Sequence, residues 1–305
     1  MVGTQARARP KKDQPESYGA AFTANDWALL GATALMWGSS FVWIEEALES
    51  LEPSVIAFVR LLFGTATIAA VPKARSSMAR SDLPATALLG LVWMAAPFLL
   101  FPIAQQWIDS SLAGMLNGSV PIFATLIAFV VSRRSPGAVQ VAGIALGFVG
   151  VIVVGLPYLG GAKATALGVV LVLLACIFYG AAINIAVPLQ RRYGALPVLL
   201  RTQLFALAFT LVPALIALPG SSFSWTSAAS TVPLGAFGTG LAFVCMATLV
   251  GRVGPSRGSV TIYFVPIVAI VLGAALRSDA ISLVSLAGTA MVLIGAFLAS
   301  RQQDH

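Results

Sequence analysis

Two guanidinium groups stand inside apolar sequence. Arg60 falls within "PSVIAFVRLLFGTATIAAVP" (53–72) and Arg201 within "LRTQLFALAFTLVP" (200–213). A cation left alone in hydrocarbon costs on the order of 3 kcal/mol or more. Such a side chain therefore binds an anion, faces a polar cavity, or reaches back to headgroups and helix-end carbonyls. Other polar or aromatic groups share this setting: Trp37, Ser39, Ser40, Gln105, Asn117, Tyr179, Asn184 and Tyr263. Amides and hydroxyls can hold the polar ends of a small zwitterion, while indole and phenol rings pack on its apolar part. These ten residues are the candidate binding set. Each also has a plainer use. Ser and Asn bond between helices, and Trp and Tyr sit at the headgroup belt, although Trp37 and Tyr179 lie too deep for that.

Catalysis has few materials. The single histidine is His305, and the 11 acids lie in tails, loops or the outermost turns of apolar runs. No pair of carboxylates is placed for intramembrane acid–base work or for holding a metal, and no P-loop is present. Cys176 and Cys245 read as buried small hydrophobes rather than a redox pair. No enzyme activity, metal or cofactor is expected. A proton-coupled multidrug pump generally needs a buried carboxylate, and only Asp109 or Asp279 drawn inward would supply one. Facilitated movement or exchange fits these residues better.

The elements that must position these groups are membrane spans. The 305 residues are 58% hydrophobic and 10% charged, with a mean hydropathy of +0.92, where a soluble chain carries about 25% charge. Apolar runs alternate with short basic breaks, and period-two alternation is missing, so the spans are helices and not barrel strands. Ten spans are predicted: 27–44, 54–72, 84–105, 111–131, 138–156, 166–187, 196–218, 232–251, 256–275 and 282–300. Residues 1–26 read as a polar tail without a signal-peptide pattern, 157–165 as a linker and 301–305 as a second tail. With the N-terminus placed in the cytoplasm, 14 of the 18 basic residues fall inside. Only Lys163 and Arg277 fall outside, where the first loop carries Glu45, Glu46, Glu49 and Glu52. Both termini are thus expected in the cytoplasm. The net charge of +7 is spread in pairs over short segments, which suits anionic lipid headgroups and not nucleic acid.

The two halves repeat. "LGLVWMAAPFLLFPIAQQWIDSSLAGMLNGSVPIF" from Leu89 aligns with "LGAFGTGLAFVCMATLVGRVGPSRGSVTIYFVPIV" from Leu234 without a gap, at a shift of 145 residues. This pairs Pro121 with Pro266, Gly143 with Gly288 and Gly150 with Gly295. At slightly smaller shifts Trp37-Gly38 meets Tyr179-Gly180 and Arg60 meets Arg201. Five spans per half is an odd number, so the second repeat (166–300) should lie inverted relative to the first (27–156), with a site between them near the midplane. Pro121 and Pro266 should bend the fourth and ninth spans at matching heights, as hinges or as static kinks. The glycines of the fifth and tenth spans permit close packing.

"WGSSFV", "FVRLLFG", "PFLLFPIAQQWIDSSLAGMLNGSVPIFATLIAFV" and "YFVPIVAIVLGAALRSDA" together resemble the drug/metabolite transporter superfamily, EamA type, over residues 27–300. The resemblance implies export or exchange of amino acids, bases, drugs or other metabolites. It also implies a cavity surrounded by the first four spans of each half, with the fifth and tenth spans outside it. That family usually has an acid 13 residues after the fourth- and ninth-span prolines; Asp279 fills the place in the second half and Arg134 in the first. Capping of the following helix and a functional role both remain open for that acid. The expected function is an inner-membrane transporter of amino acids or similar compounds. Its partners are a small-molecule substrate and membrane lipid, and a monomer suffices. A multidrug pump, a lipid flippase and a non-transporting scaffold are the alternatives. Reporter fusions at His305 and within residues 73–82 should report cytoplasm, and fusions near 45–53 and 219–230 the outside; a C-terminus outside would end the ten-span reading.

Overall fold

The computed structural model describes residues 22–133, 135–158 and 163–300. It is all-α. Among the described residues, eight helices are long and apolar enough to cross a membrane, and two shorter apolar helices stand with them. In chain order they are α1 (Ala24–Leu48), α2 (Pro53–Ala69), α3 (Arg80–Ala104), α4 (Ser110–Ser132), α5 (Ala138–Tyr158), α6 (Thr165–Tyr193), α7 (Ala195–Gly220), α8 (Trp225–Val253), α9 (Thr261–Arg277) and α10 (Leu283–Ser300). Val130, Ile152, Val212, Ile216 and Leu283 are among many large apolar side chains left exposed, as a lipid-facing surface requires.

Boundaries differ from the hydropathy reading where polar residues are helical. The α8 helix starts at Trp225 and not near 232, because "WTSAASTV" hides its hydroxyls inside the bundle: Ser227 donates to the Glu46 carbonyl and Ser230 to that of Ser227. The α6 helix runs past Pro188 to Tyr193. Its end is held where Arg192 and the Tyr193 hydroxyl bond the Asp82 carboxylate. Wide π-turns occur at Gly90–Ala95 in α3, at Pro233–Leu241 in α8 and at the end of α9, Gly273–Arg277. At the repeat shift of 145 the first two fall on one another.

The expected matched bends are not matched in detail. The α4 helix is interrupted at Gly118-Ser119, just before Pro121, whereas α9 carries Pro266 inside a continuous segment, Thr261–Leu272. A proline one or two residues into a helix loses no intrahelical bond, so Pro121 begins the second segment of α4, Val120–Ser132, rather than kinking it.

Contacts between the halves come in exchanged pairs. The α2 helix packs on α8 as α7 packs on α3, and α1 meets α8 and α9 as α6 meets α3 and α4. The α2–α7, α4–α9 and α5–α10 pairs close the pattern on themselves. The broadest of these is α5 against α10. A Cβ on Gly143 would lie 2.5 Å from the Ala299 amide nitrogen, and one on Gly295 would lie 2.5 Å from that of Gly147 and 2.6 Å from the Gly143 carbonyl. Backbone touches backbone there, which only glycine allows.

The connections sort to two ends. At one end Arg277 reaches Glu45, Glu46 and Glu49 at 3.1, 2.8 and 2.9 Å, and the Ser222 amide donates to the Ser50 carbonyl. At the other end lie the Arg252–Asp26 pair at 2.6 Å and the Arg192–Asp82 pair at 2.8 Å. Among the described residues, the first, seventh and ninth connections thus gather at the acidic end and the second, sixth and eighth at the basic end. Gly295→Ala should cost about 1–3 kcal/mol by forcing the α5–α10 backbones apart, read as a lower melting temperature in detergent; an unchanged melting temperature would mean that the backbones do not touch.

Candidate binding cavity

A cavity of about 290 Å³ lies between the halves, at the lower end of the roughly 300–1,000 Å³ range of small-molecule sites. Its lining obeys the repeat. Phe98 and Phe243, Phe101 and Met246, Asn117 and Ile262, and Val120 and Val265 all line it, and each pair is related by the shift of 145. Trp37 and Tyr179 are a further pair at the smaller shift, and no residue of α5 or α10 takes part. The chemistry of the pairs diverges. The first half supplies Arg60, Ser40 and Asn117, while the second half puts Ile262 opposite Asn117.

Two chains of rings form the walls. Trp93 meets Phe243 edge-on at 5.7 Å and Phe243 meets Trp37 at 5.5 Å; Phe41 meets Phe101 at 5.5 Å, and Phe101 stacks on Tyr179 at 6.0 Å. Such contacts fix ring positions and present π-faces to whatever enters.

Arg60 is the charged group in this lining. Only 6% of its surface is exposed. Its guanidinium lies 3.7 Å from the centroid of the Phe98 ring, and its Nε donates to Thr239 Oγ1 at 2.7 Å. The Thr239 hydroxyl in turn donates to the Leu234 carbonyl five residues back, at 3.1 Å. The π-turn of α8 makes that arrangement available, because its widened turn leaves a carbonyl for a side-chain donor. Close backbone approach keeps α2 on α8: a Cβ on Gly235 would fall 2.6 Å from the Arg60 carbonyl oxygen. Ion pairs among the described residues involve Arg192, Arg252 and Arg277, not Arg60.

Five of the ten candidate binding residues meet in the cavity: Trp37, Ser40, Arg60, Asn117 and Tyr179. The others are engaged elsewhere. Ser39 donates to the Met36 carbonyl at 3.3 Å, and Gln105 donates to that of Phe41 at 2.8 Å. Asn184 links α6 to α4 through the Ala124 carbonyl at 3.0 Å, and the Tyr263 hydroxyl meets Ser300 Oγ at 3.1 Å. Arg201, a candidate binding residue by sequence, lies outside this lining and takes the other course open to it, helix-end carbonyls. Its Nη1 donates to the Ala74 carbonyl at 2.8 Å and to that of Pro197 at 3.4 Å, at the basic end of the bundle. The physical reason lies in α3. A Cβ on Gly90 of α3 would meet the Thr202 carbonyl and Phe205 where one on the repeat-equivalent Gly235 meets the Arg60 carbonyl and Phe63, so Thr202 takes the place of Arg60, and Arg201, one residue aside, satisfies its donors on main-chain oxygens. Thr239, Phe98, Trp93 and Phe243 were not singled out in the sequence. The paired phenylalanines at one repeat shift were the available signal.

Asp279 caps a helix, though not the following one. Its Oδ2 accepts from Ser110 Oγ at 2.8 Å, from the Ser111 amide at 2.9 Å and from Ser111 Oγ at 2.6 Å, sealing the N-terminus of α4. Arg134 lies outside the described residues. Asp109 stands beside this cluster, and burial, followed by the charges of Asp279 and Glu45, pushes its carboxyl above the ordinary value. Neither carboxylate lines the cavity.

A two-fold, aromatic-walled cavity inside an all-helical membrane bundle defines a transporter of small molecules. The chain belongs to the EamA-like transporter family, whose profile matches residues 27–156 and again residues 166–301. It is similar to an uncharacterized transporter of Archaeoglobus fulgidus, 24% identical over 91% of this chain and 99% of that one. It is also similar to a probable terminal-alkyne amino-acid exporter of Streptantibioticus cattleyicolor, 27% identical over 90% and 93%. The uncharacterized inner membrane transporter YedA of Escherichia coli K12 is 27% identical over 83% of each chain. A solved crystal structure superposes with a TM-score of 0.61 over 92% of this chain and 97% of that one, at 17% identity, which shows the shared fold. The chain is therefore a multi-pass membrane protein of a transporter family and not an enzyme.

The contrast between the two arginines is testable. Arg201→Gln should cost about 1–2 kcal/mol through lost charge-assisted bonds, read as a lower melting temperature with substrate preference unchanged. A shift in preference at unchanged stability would return Arg201 to the cavity.

Proposed function

We propose that this protein is a secondary transporter of ten spans, built as two inverted five-span repeats in the inner membrane with both termini in the cytoplasm, which exports a small metabolite by alternating access. Amino acids and similar compounds with a polar end and an apolar body are the substrate class favoured. The observation that carries this reading is the cavity itself, lined at repeat-equivalent positions by both halves. The exchange of contacts between the halves, and the gathering of odd connections at the acidic end, support the inverted arrangement.

The lining also suggests the state of the cycle. It extends to Gln190, Ala195 and Val250, near the ends of α6, α7 and α8 at the basic end. In the other direction it reaches Ile44, where the next residue is Glu45 in the Arg277 fork. This is a cavity poised toward the cytoplasm and closed outside by an ion-paired latch between α1 and α9. Opening outward requires the three carboxylates to leave Arg277, and the symmetric repeats exchange which end is shut. The exporter name carried by the Streptantibioticus cattleyicolor relative agrees with outward movement of an amino acid-like substrate.

No carboxylate lines the cavity among the described residues, so a proton has no site at which to be exchanged for substrate. Movement follows the substrate's own gradient. In reconstituted vesicles, a labelled metabolite panel should enter down its gradient with no pH difference imposed. Net transport that vanished without a proton gradient and returned with one would overturn the facilitator reading and make Asp109 and Asp279 the first groups to neutralise.

A further inference from the structure

The cavity offers charge of one sign. Arg60 is nine-tenths buried and lines it, with one hydrogen bond, to Thr239 Oγ1, and a ring face beneath it. A guanidinium has five donors, and that bond uses one of them. Its terminal nitrogens are not among the buried unpartnered atoms, which include Gln203 Oε1 and Thr65 Oγ1, so they are open to the cavity space. The groups that would hold an ammonium are missing from the lining among the described residues: it contains no Asp or Glu. An ammonium entering this space would lose its hydration and meet a fixed cation. Because Arg201 spends its donors on main-chain carbonyls, the second repeat adds no further charge.

Resting on the transporter reading above and narrowing its amino acid-like class, we infer that the substrate is a monoanionic organic acid with an apolar or aromatic body and no free ammonium, an N-acylated amino acid rather than a free one. The carboxylate takes the open fork of Arg60, and the body lies between the ring chains of Trp37 and Phe243 and of Phe101 and Tyr179. One cation matches one negative charge. The inference also supplies the driving force. A monoanion leaves a cell whose interior is negative without any coupled ion, so the membrane potential makes a simple facilitator an exporter.

The test uses the full-length protein in liposomes and three labelled probes of similar size: N-acetylphenylalanine as anion, phenylalanine as zwitterion and phenyltrimethylammonium as cation. The expected result is that N-acetylphenylalanine crosses at least tenfold faster than the other two. A tenfold potassium gradient clamped with valinomycin should also redistribute it about tenfold, toward the positive side. Arg60→Gln should lower that rate about tenfold, and Arg60→Lys should restore part of it. The probe comparison uses the natural protein, so it stands even if the variants fail to fold. Phenylalanine moving as fast as N-acetylphenylalanine, or a distribution indifferent to the potassium gradient, would overturn the anion assignment and leave the transporter reading in place. If no probe crosses but N-acetylphenylalanine quenches tryptophan fluorescence in the natural protein and not in Arg60→Gln, the anion site stands and transport fails. Absence of both binding and movement overturns the inference. So does movement of labelled phosphatidylglycerol between leaflets without N-acetylphenylalanine binding, which would assign the site to a lipid headgroup.

Discussion

Hydrocarbon offers no hydrogen bonds, so a polar group inside this bundle that finds no partner within the protein is left there at a cost. That constraint is sharpest at Arg60, a full charge held by one threonine hydroxyl and one phenylalanine face. Much of the centre of the molecule follows from it. The hydroxyl must be at hand, which fixes the π-turn of α8. The α2 and α8 backbones must lie close, which fixes Gly235 and leaves Gly64 against the Thr239 side chain. Even so the guanidinium is only partly satisfied by protein, and the remaining donors face the cavity. The proposed ligand site is what an incompletely satisfied internal guanidinium leaves open.

Pseudo-symmetry gives the cavity its shape, and its departures give the cavity its chemistry. Ring for ring, Phe98 and Phe243 occupy equivalent places and wall the space from two sides. Asn117 of the first half stands where the second has Ile262, and Thr239 of the second stands where the first has Met94, so each half puts polar groups at places the other leaves apolar. The two intramembrane arginines do different work, because the packing of α7 on α3 gives the place of Arg60 to Thr202 and leaves Arg201 one residue aside. Arg60 is drawn inward by a hydroxyl, and Arg201 is drawn to the free carbonyls at the basic end. The proposed alternation between two similar shapes draws on the repeated frame, and the proposed orientation of substrate on its unequal contents.

The ends of the bundle are held by different forces. Arg277 is shared among three carboxylates, and the Asp279 carboxylate caps α4 through two serines, so the acidic end is tied by several bonds across α1, α4 and α9. Partly exposed ion pairs are individually weak, but a shared network closes only when all its members are in place. The basic end relies on isolated pairs such as Arg252 with Asp26, and it is there that the cavity lining runs to the helix ends. Between them the α5–α10 pair, welded glycine to glycine, stands apart from the cavity.

Much of this was legible in the order of residues. Apolar length alone gave the spans, because crossing hydrocarbon imposes a length and forbids charge. Basic residues pointed to one end, and the recurrence of "VPIF" and "VPIV" revealed the repeat. The aromatic pair Trp37 and Tyr179 could be placed in a shared cavity, since tryptophan and tyrosine that deep are out of reach of headgroups. What could not be read was which polar side chains face inward. Gln105, Asn184 and Tyr263 sit in apolar runs much as Asn117 does, yet their bonds run to neighbouring helices. Sequence determined that two arginines lie in the membrane, because composition and spacing are properties of one chain. Only the tertiary structure decided that one of them holds an open cavity and the other a set of carbonyls. That choice depends on which residue of the helix meets its neighbour, Arg60 against Gly235 but Thr202 against Gly90, and a residue's partner across a contact is set by packing, not by position along the chain.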